Sequence, residues 1–191
     1  MNPLQFAFTA LVLAVAMQRL WEVRRSAKHQ RTLIALGARE HAHEQLAWMR
    51  VLHAGWLAAT LIEAWLVPRD VPTAVMLIAA VAFAAGQTLR ALAMHALGPR
   101  WTISVITLPG EPAIAKGIFR HLRHPNYLGV CLELLALPVI GGAYVTAIVA
   151  SIANGVLLFF RIRAEEAALR CDSLYESTLG DKPRFIPGVM P

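Results

Sequence analysis

Apolar residues along this chain fall in five blocks separated by polar stretches, at residues 4–21, 46–67, 73–97, 125–140 and 144–161. A helix needs about 20 residues to cross a hydrocarbon core about 30 Å thick, and these blocks are continuous rather than striped, so each predicts a transmembrane helix. The fourth block is short and runs into Gly141-Gly142, which predicts that the last two helices form a tight hairpin. The expected fold is an all-α integral membrane protein of about five transmembrane helices. Residues 1–97 would hold three of them, with a cytoplasmic loop at residues 23–45. Residues 98–191 would hold a cytoplasmic segment (98–123), the hairpin (124–163) and a cytoplasmic tail.

Composition supports that class, because 57% of the 191 residues are hydrophobic and only 16% are charged. Orientation follows from the basic residues. Arg19, Arg24, Arg25, Lys28 and Arg31 follow the first block, which places that end in the cytoplasm and the N-terminus outside. No basic stretch precedes the block, as a cleavable signal peptide would require. Threading the remaining spans puts all but Arg69 of the 18 Lys and Arg residues on the cytoplasmic side. The net charge of +6 is then accounted for by topology and anionic inner-leaflet lipid, and no nucleic-acid partner is expected.

Cysteine and histidine point to no metal. Cys131 and Cys171 are too few and too far apart for a zinc site or a disulfide framework. His41 and His43 lie in a polar stretch, residues 30–45, that reads as a solvated loop. Residues 98–123 are more structured: Trp101-Thr102-Ile103-Ser104-Val105-Ile106 is β-branched, Leu108-Pro109-Gly110-Glu111-Pro112 is a turn signal, and residues 113–119 suit a second extended piece. This segment reads equally well as an interfacial stretch anchored by Trp101 or as a lid over a cofactor. There is no glycine-rich nucleotide loop.

Ionisable groups at membrane depth carry more information, since each costs at least about 2.5–3.5 kcal/mol on insertion scales. Asn154, Arg161 and Glu165, at offsets of seven and eleven, lie within about 20° of one line on the fifth helix. Arg161 and Glu165 are also spaced for a simple intrahelical ion pair, which leaves Asn154 and Glu166 unexplained. On the fourth helix His124, Tyr127 and Cys131 share one face, while Asn126 and Glu133 share another. Glu133 has no base within one turn and needs an interhelical partner, for which Arg90 and Gln87 are candidates. Glu22 and Glu63, nearer the span ends, read as structural.

Arg123-His124-Pro125-Asn126-Tyr127-Leu128-Gly129, followed one span later by Arg161-Ile162-Arg163-Ala164-Glu165-Glu166-Ala167-Ala168-Leu169, resembles the paired signature of the isoprenylcysteine carboxyl methyltransferase family. The resemblance covers about the last half of the chain. It implies an integral-membrane enzyme of the bacterial inner membrane that uses S-adenosylmethionine, yields S-adenosylhomocysteine, and faces the cytoplasm with its active site. The acceptor would be a lipid-like molecule drawn from among the membrane lipids. Carried over by position, Arg123, His124, Pro125, Tyr127, Arg161, Glu165 and Glu166 become cofactor-site residues. Ala115, Lys116 and Gly117 would add backbone contacts and Trp101 would close the pocket. Glu133, Asn154 and Arg163 resemble a bacterial subgroup acting on alkylresorcinols or alkylpyrones. Glu133 or His124 would be the general base for such a hydroxyl, whereas a prenylcysteine carboxylate would need none. A phospholipid N-methyltransferase is the nearer alternative; a sterol-reductase-like oxidoreductase and a non-catalytic membrane protein are more distant ones.

Overall fold

A computed structural model describes residues 3–172 and 175–185. Five long helices dominate it: α1 Pro3–Ala35, α2 His43–Leu66, α3 Thr73–Leu97, α4 Pro125–Ile140 and α5 Tyr144–Asp172, followed by a short α6, Tyr175–Leu179. Two three-residue strands, β1 Arg39–His41 and β2 Val105–Thr107, pair antiparallel with Arg39 opposite Thr107. Helices α1, α3 and α5 are long and apolar enough to cross a membrane, and α4 is apolar but only 16 residues long. Helix α2 has the length but also carries Arg50, His53 and Glu63.

The region expected as a cytoplasmic loop at 23–45 is mostly helix. Helix α1 has 33 residues, about 50 Å at 1.5 Å per residue, and so runs well past its apolar block. Its polar extension is rich in good helix formers and is fastened to the segment after α3. Ser26 Oγ accepts the Ile103 N–H at 2.8 Å, and His29 Nδ1 donates to the Trp101 carbonyl at 2.8 Å. His41 likewise sits in β1 rather than in a solvated loop, with Nε2 2.8 Å from Thr107 Oγ1 and 3.3 Å from Asp172 Oδ2. Residues 113–119 do not return as a strand. They form irregular chain leading into a 3₁₀ turn at Gly117–Arg120.

Two contacts set the helix arrangement. At the α3–α4 crossing Gly86 faces Gly129 so closely that a Cβ on Gly129 would stand 2.7 Å from both Arg90 Cγ and the Gly86 carbonyl oxygen. At the opposite end α4 turns into α5 through Gly141 and Gly142, the latter at φ +74°. Glu63 of α2 closes that turn, accepting from the Thr146 N–H at 2.7 Å, the Val145 N–H at 3.1 Å and Arg69 at 2.7 Å. A carboxylate is favoured there because the first N–H groups of α5 lack intrahelical partners. Between these contacts Val12, Val15, Trp56, Val130, Leu134 and Leu137 form the main apolar core. Val145, Ile148, Ile152, Val156 and Phe160 on α5 remain exposed, as a lipid-facing stripe would.

Candidate active site

Proline at the first position of α4 fixes where that helix starts, and His124 is its N-cap residue. Arg123 and His124 are thereby held at the buried end of α4, beside the middle of α5. His124 stacks on Tyr127, one turn along, with ring centroids 5.4 Å apart. Its Nε2 lies 3.0 Å from Glu166 Oε1, a bond that fixes the imidazole's direction. Glu166 is 1% exposed and gathers further cations. Arg184 donates to both its oxygens at 2.9 and 2.7 Å, while Arg170 lies at 3.4 Å and Arg123 at 3.7 Å.

A second knot adjoins the first. The Tyr127 hydroxyl donates to Glu165 and accepts from Arg161 Nε at 2.9 Å, and Arg161 also donates to the Ile103 carbonyl. Arg161 and Glu165 thus meet through a tyrosine of the neighbouring helix. Four guanidiniums, from Arg123, Arg161, Arg170 and Arg184, face two carboxylates, so the cluster is net positive. Arg123 Nη2 and the hydroxyl of nearby Tyr175 are both buried without a well-formed hydrogen bond among the described residues. Burial, with the negative charge of Glu166 adding to it, pushes the Tyr175 phenol up to about 12, so it stays neutral.

The other sequence-selected residues fall at differing distances from this cluster. Trp101 is buried and its carbonyl is tied to α1, next to the segment that carries Ile103. Ala115 packs against Tyr175 and Leu179, whereas Lys116 and Gly117 are exposed, with Gly117 at φ +58° against Ala96. Asn154 is buried farther along α5, 3.6 Å from the Cys131 sulfur, with its Oδ1 unpartnered among the described residues. Arg163 is exposed, and its guanidinium lies 4.1 Å from the Phe159 ring centroid rather than in the cluster.

Glu133 belongs to a different cluster. Six residues beyond Tyr127, it points roughly 120° away around α4, toward α1 and α3. There it pairs with Arg19 and lies 3.3 Å from Arg90 Nε. Glu22 completes the set, 2.6 Å from Arg19 and 2.5 Å from Arg90. Gln18 links Glu22 to Gln87 at 3.1 and 2.8 Å. Two arginines and two glutamates cancel in charge, as a group buried at membrane depth requires. Arg90 was legible as a partner for Glu133. Arg19 is a second partner, signalled in the sequence only by its spacing of three from Glu22. Arg184, in the tail beyond both signature stretches, has no such signal.

The pattern of family similarity falls on this geometry. The model of the isoprenylcysteine carboxyl methyltransferase family matches residues 74–171, from α3 to the end of α5. The chain belongs to that family. An uncharacterized protein of Bacillus subtilis (strain 168), YpbQ, is 31% identical over 85% of this chain and 96% of its own length. An uncharacterized protein of Haemophilus influenzae is 28% identical over 84% of this chain and 91% of its own. Family membership and the three long apolar helices make this a membrane protein, and the family points to a methyltransferase. In this methyltransferase-family chain the matched span includes every residue of the α4–α5 cluster except Tyr175 and Arg184.

Proposed function

We propose that the cluster at the start of α4 binds S-adenosylmethionine and that the protein methylates a lipophilic acceptor at the cytoplasmic face of a bacterial inner membrane. The observation that carries this reading is the largely buried knot of Arg123, His124, Tyr127, Arg161, Glu165 and Glu166, which brings guanidiniums and carboxylates together at one place. The cofactor's amino-acid end is zwitterionic: its carboxylate asks for cations, while its ammonium and the ribose ask for acceptors. Arg123, with a guanidinium nitrogen buried without a well-formed hydrogen bond among the described residues, suits the carboxylate, and Glu165, which is only half-buried, suits the ammonium or ribose. Such a group supplies a methyl on sulfur that transfers by in-line displacement. The protein's task is to orient the acceptor and exclude water.

A bound cofactor would supply the methyl to an acceptor oxygen and leave as the thioether, so the proton balance depends on the acceptor. A carboxylate acceptor, as in a prenylcysteine-like lipid, has no proton to lose. An alkylresorcinol or alkylpyrone hydroxyl does, and His124 is the base we assign. With Nε2–H donating to Glu166, Nδ1 is the lone-pair nitrogen available for that proton. We place five helices across the membrane with the N-terminus outside, on the strength of the basic residues and the α1–α5 order. Residues 98–185 would then hold cofactor and acceptor on the cytoplasmic side. Calorimetry of the purified protein in detergent tests the cofactor site. S-adenosylhomocysteine is expected to bind, and Tyr127→Phe, which removes the hydroxyl shared by Arg161 and Glu165, to weaken it about tenfold. Absence of wild-type binding overturns the reading.

A further inference from the structure

We propose that Arg184 is a positioning residue of the cofactor site and that residues 182–185 form a strap docking together with the cofactor. This rests on the reading above. Three consecutive strap carbonyls accept bonds from the two residues that open α4. Lys182 O takes Arg123 Nε at 2.5 Å, Pro183 O takes the Arg123 N–H at 3.0 Å, and Arg184 O takes the His124 N–H at 3.1 Å. Arg123 and His124 are 5% and 4% exposed, so without the strap their backbone N–H groups would be buried and unpaired or open to water.

Arg184 adds the only two-pronged contact to Glu166 among the described residues, and the other side chains facing that carboxylate, His124, Arg170 and Arg123, lie at 3.0 Å or more. A fork of two parallel bonds fixes a carboxylate's plane, which a single bond does not. Glu166 in turn aims the His124 ring. The Phe185 ring covers the same imidazole at 6.3 Å and packs with Tyr127, Leu158 and Ile162. The strap therefore holds the Arg123 side chain, the His124 backbone and, through Glu166, the His124 ring. Its own Arg184 side chain is 43% exposed, so the fork to Glu166 lies at the solvent side of the cluster.

Strap docking and cofactor binding then reinforce each other, since both order the same groups. The test uses full-length protein in detergent with S-adenosylhomocysteine as the probe. Arg184→Gln is expected to raise its Kd at least about tenfold. Arg184→Lys, which keeps the charge and loses the fork, is expected to fall between. In wild type the ligand should slow amide hydrogen exchange over residues 123–127, and in Arg184→Gln this protection should shrink. An unchanged or lower Kd in Arg184→Gln, with wild-type protection retained, overturns the strap while leaving the cofactor site standing. A wild-type protein that does not bind the probe overturns both. Thermal melting of each ligand-free variant separates a folding defect from a binding one, and Arg184→Lys carries the test if Arg184→Gln does not fold.

Discussion

Replacing Glu133 by Gln separates two roles that the sequence alone left open. The carboxylate is 0% exposed and lies between Arg19 and Arg90, whose other partner is Glu22. Neutralising it leaves two guanidiniums facing one carboxylate in a largely buried site. Breaking a buried ion pair by removing one partner costs about 3–5 kcal/mol, and an amide that still accepts one guanidinium bond places the expected loss near the lower figure, about 3 kcal/mol. For a chain of this size that corresponds to a melting temperature lower by roughly 6–12 °C. The assay is thermal or denaturant unfolding in detergent, run beside calorimetry with S-adenosylhomocysteine. Adding Arg19→Gln restores neutrality and should recover part of the loss, because the two sites are in direct contact. Were Glu133→Gln to melt with wild-type stability, bind the ligand normally and yet fail to turn over, the carboxylate would be the general base and the charge-lock reasoning refuted.

Three other outcomes follow from the same contacts. Gly129→Ala pushes a methyl to 2.7 Å from the Gly86 carbonyl and should destabilise by about 1–3 kcal/mol in unfolding assays, whereas Gly55→Ala, with nothing within 4 Å, should be neutral or stabilising. Glu63→Gln removes the charge that gathers Arg69 and the first N–H groups of α5. It should cost about 1–2 kcal/mol, read as a lower melting temperature with ligand affinity unchanged. His124→Gln should lower methylation of a hydroxyl acceptor far more than that of a carboxylate acceptor, with the hydroxyl reaction recovering at pH values where that group is itself ionised, so comparing product formation on the two lipid classes checks the base assignment.

The sequence carried the helices and the family further than it carried the contacts. Apolar blocks located the cores of α1 to α5, but hydropathy reports where lipid begins and not where a helix stops. The polar third of α1 therefore looks like loop in the sequence. Strand β1 is three residues, Arg39-Glu40-His41, whose pairing is decided by a partner 66 positions away; no local period marks it. Helix-face arithmetic separated His124 and Tyr127 from Glu133, and the structure shows why that separation matters, since the two faces of α4 serve different clusters. Arg184 left no local signal. Its meeting with Glu166 is a tertiary event, set by the turn in which the Lys182 N–H bonds the Leu179 carbonyl.

The reaction proposed for this chain moves a methyl group from S-adenosylmethionine to a membrane lipid. Membranes carrying the protein, incubated with methyl-labelled S-adenosylmethionine and then extracted, test it directly. Label is expected in one lipophilic product, as a carboxyl ester or an aryl or enol ether, and is expected to disappear with Arg123→Gln. Label in a phospholipid amine would contradict the assigned acceptor chemistry, and no label above membranes lacking the protein would contradict the claim itself.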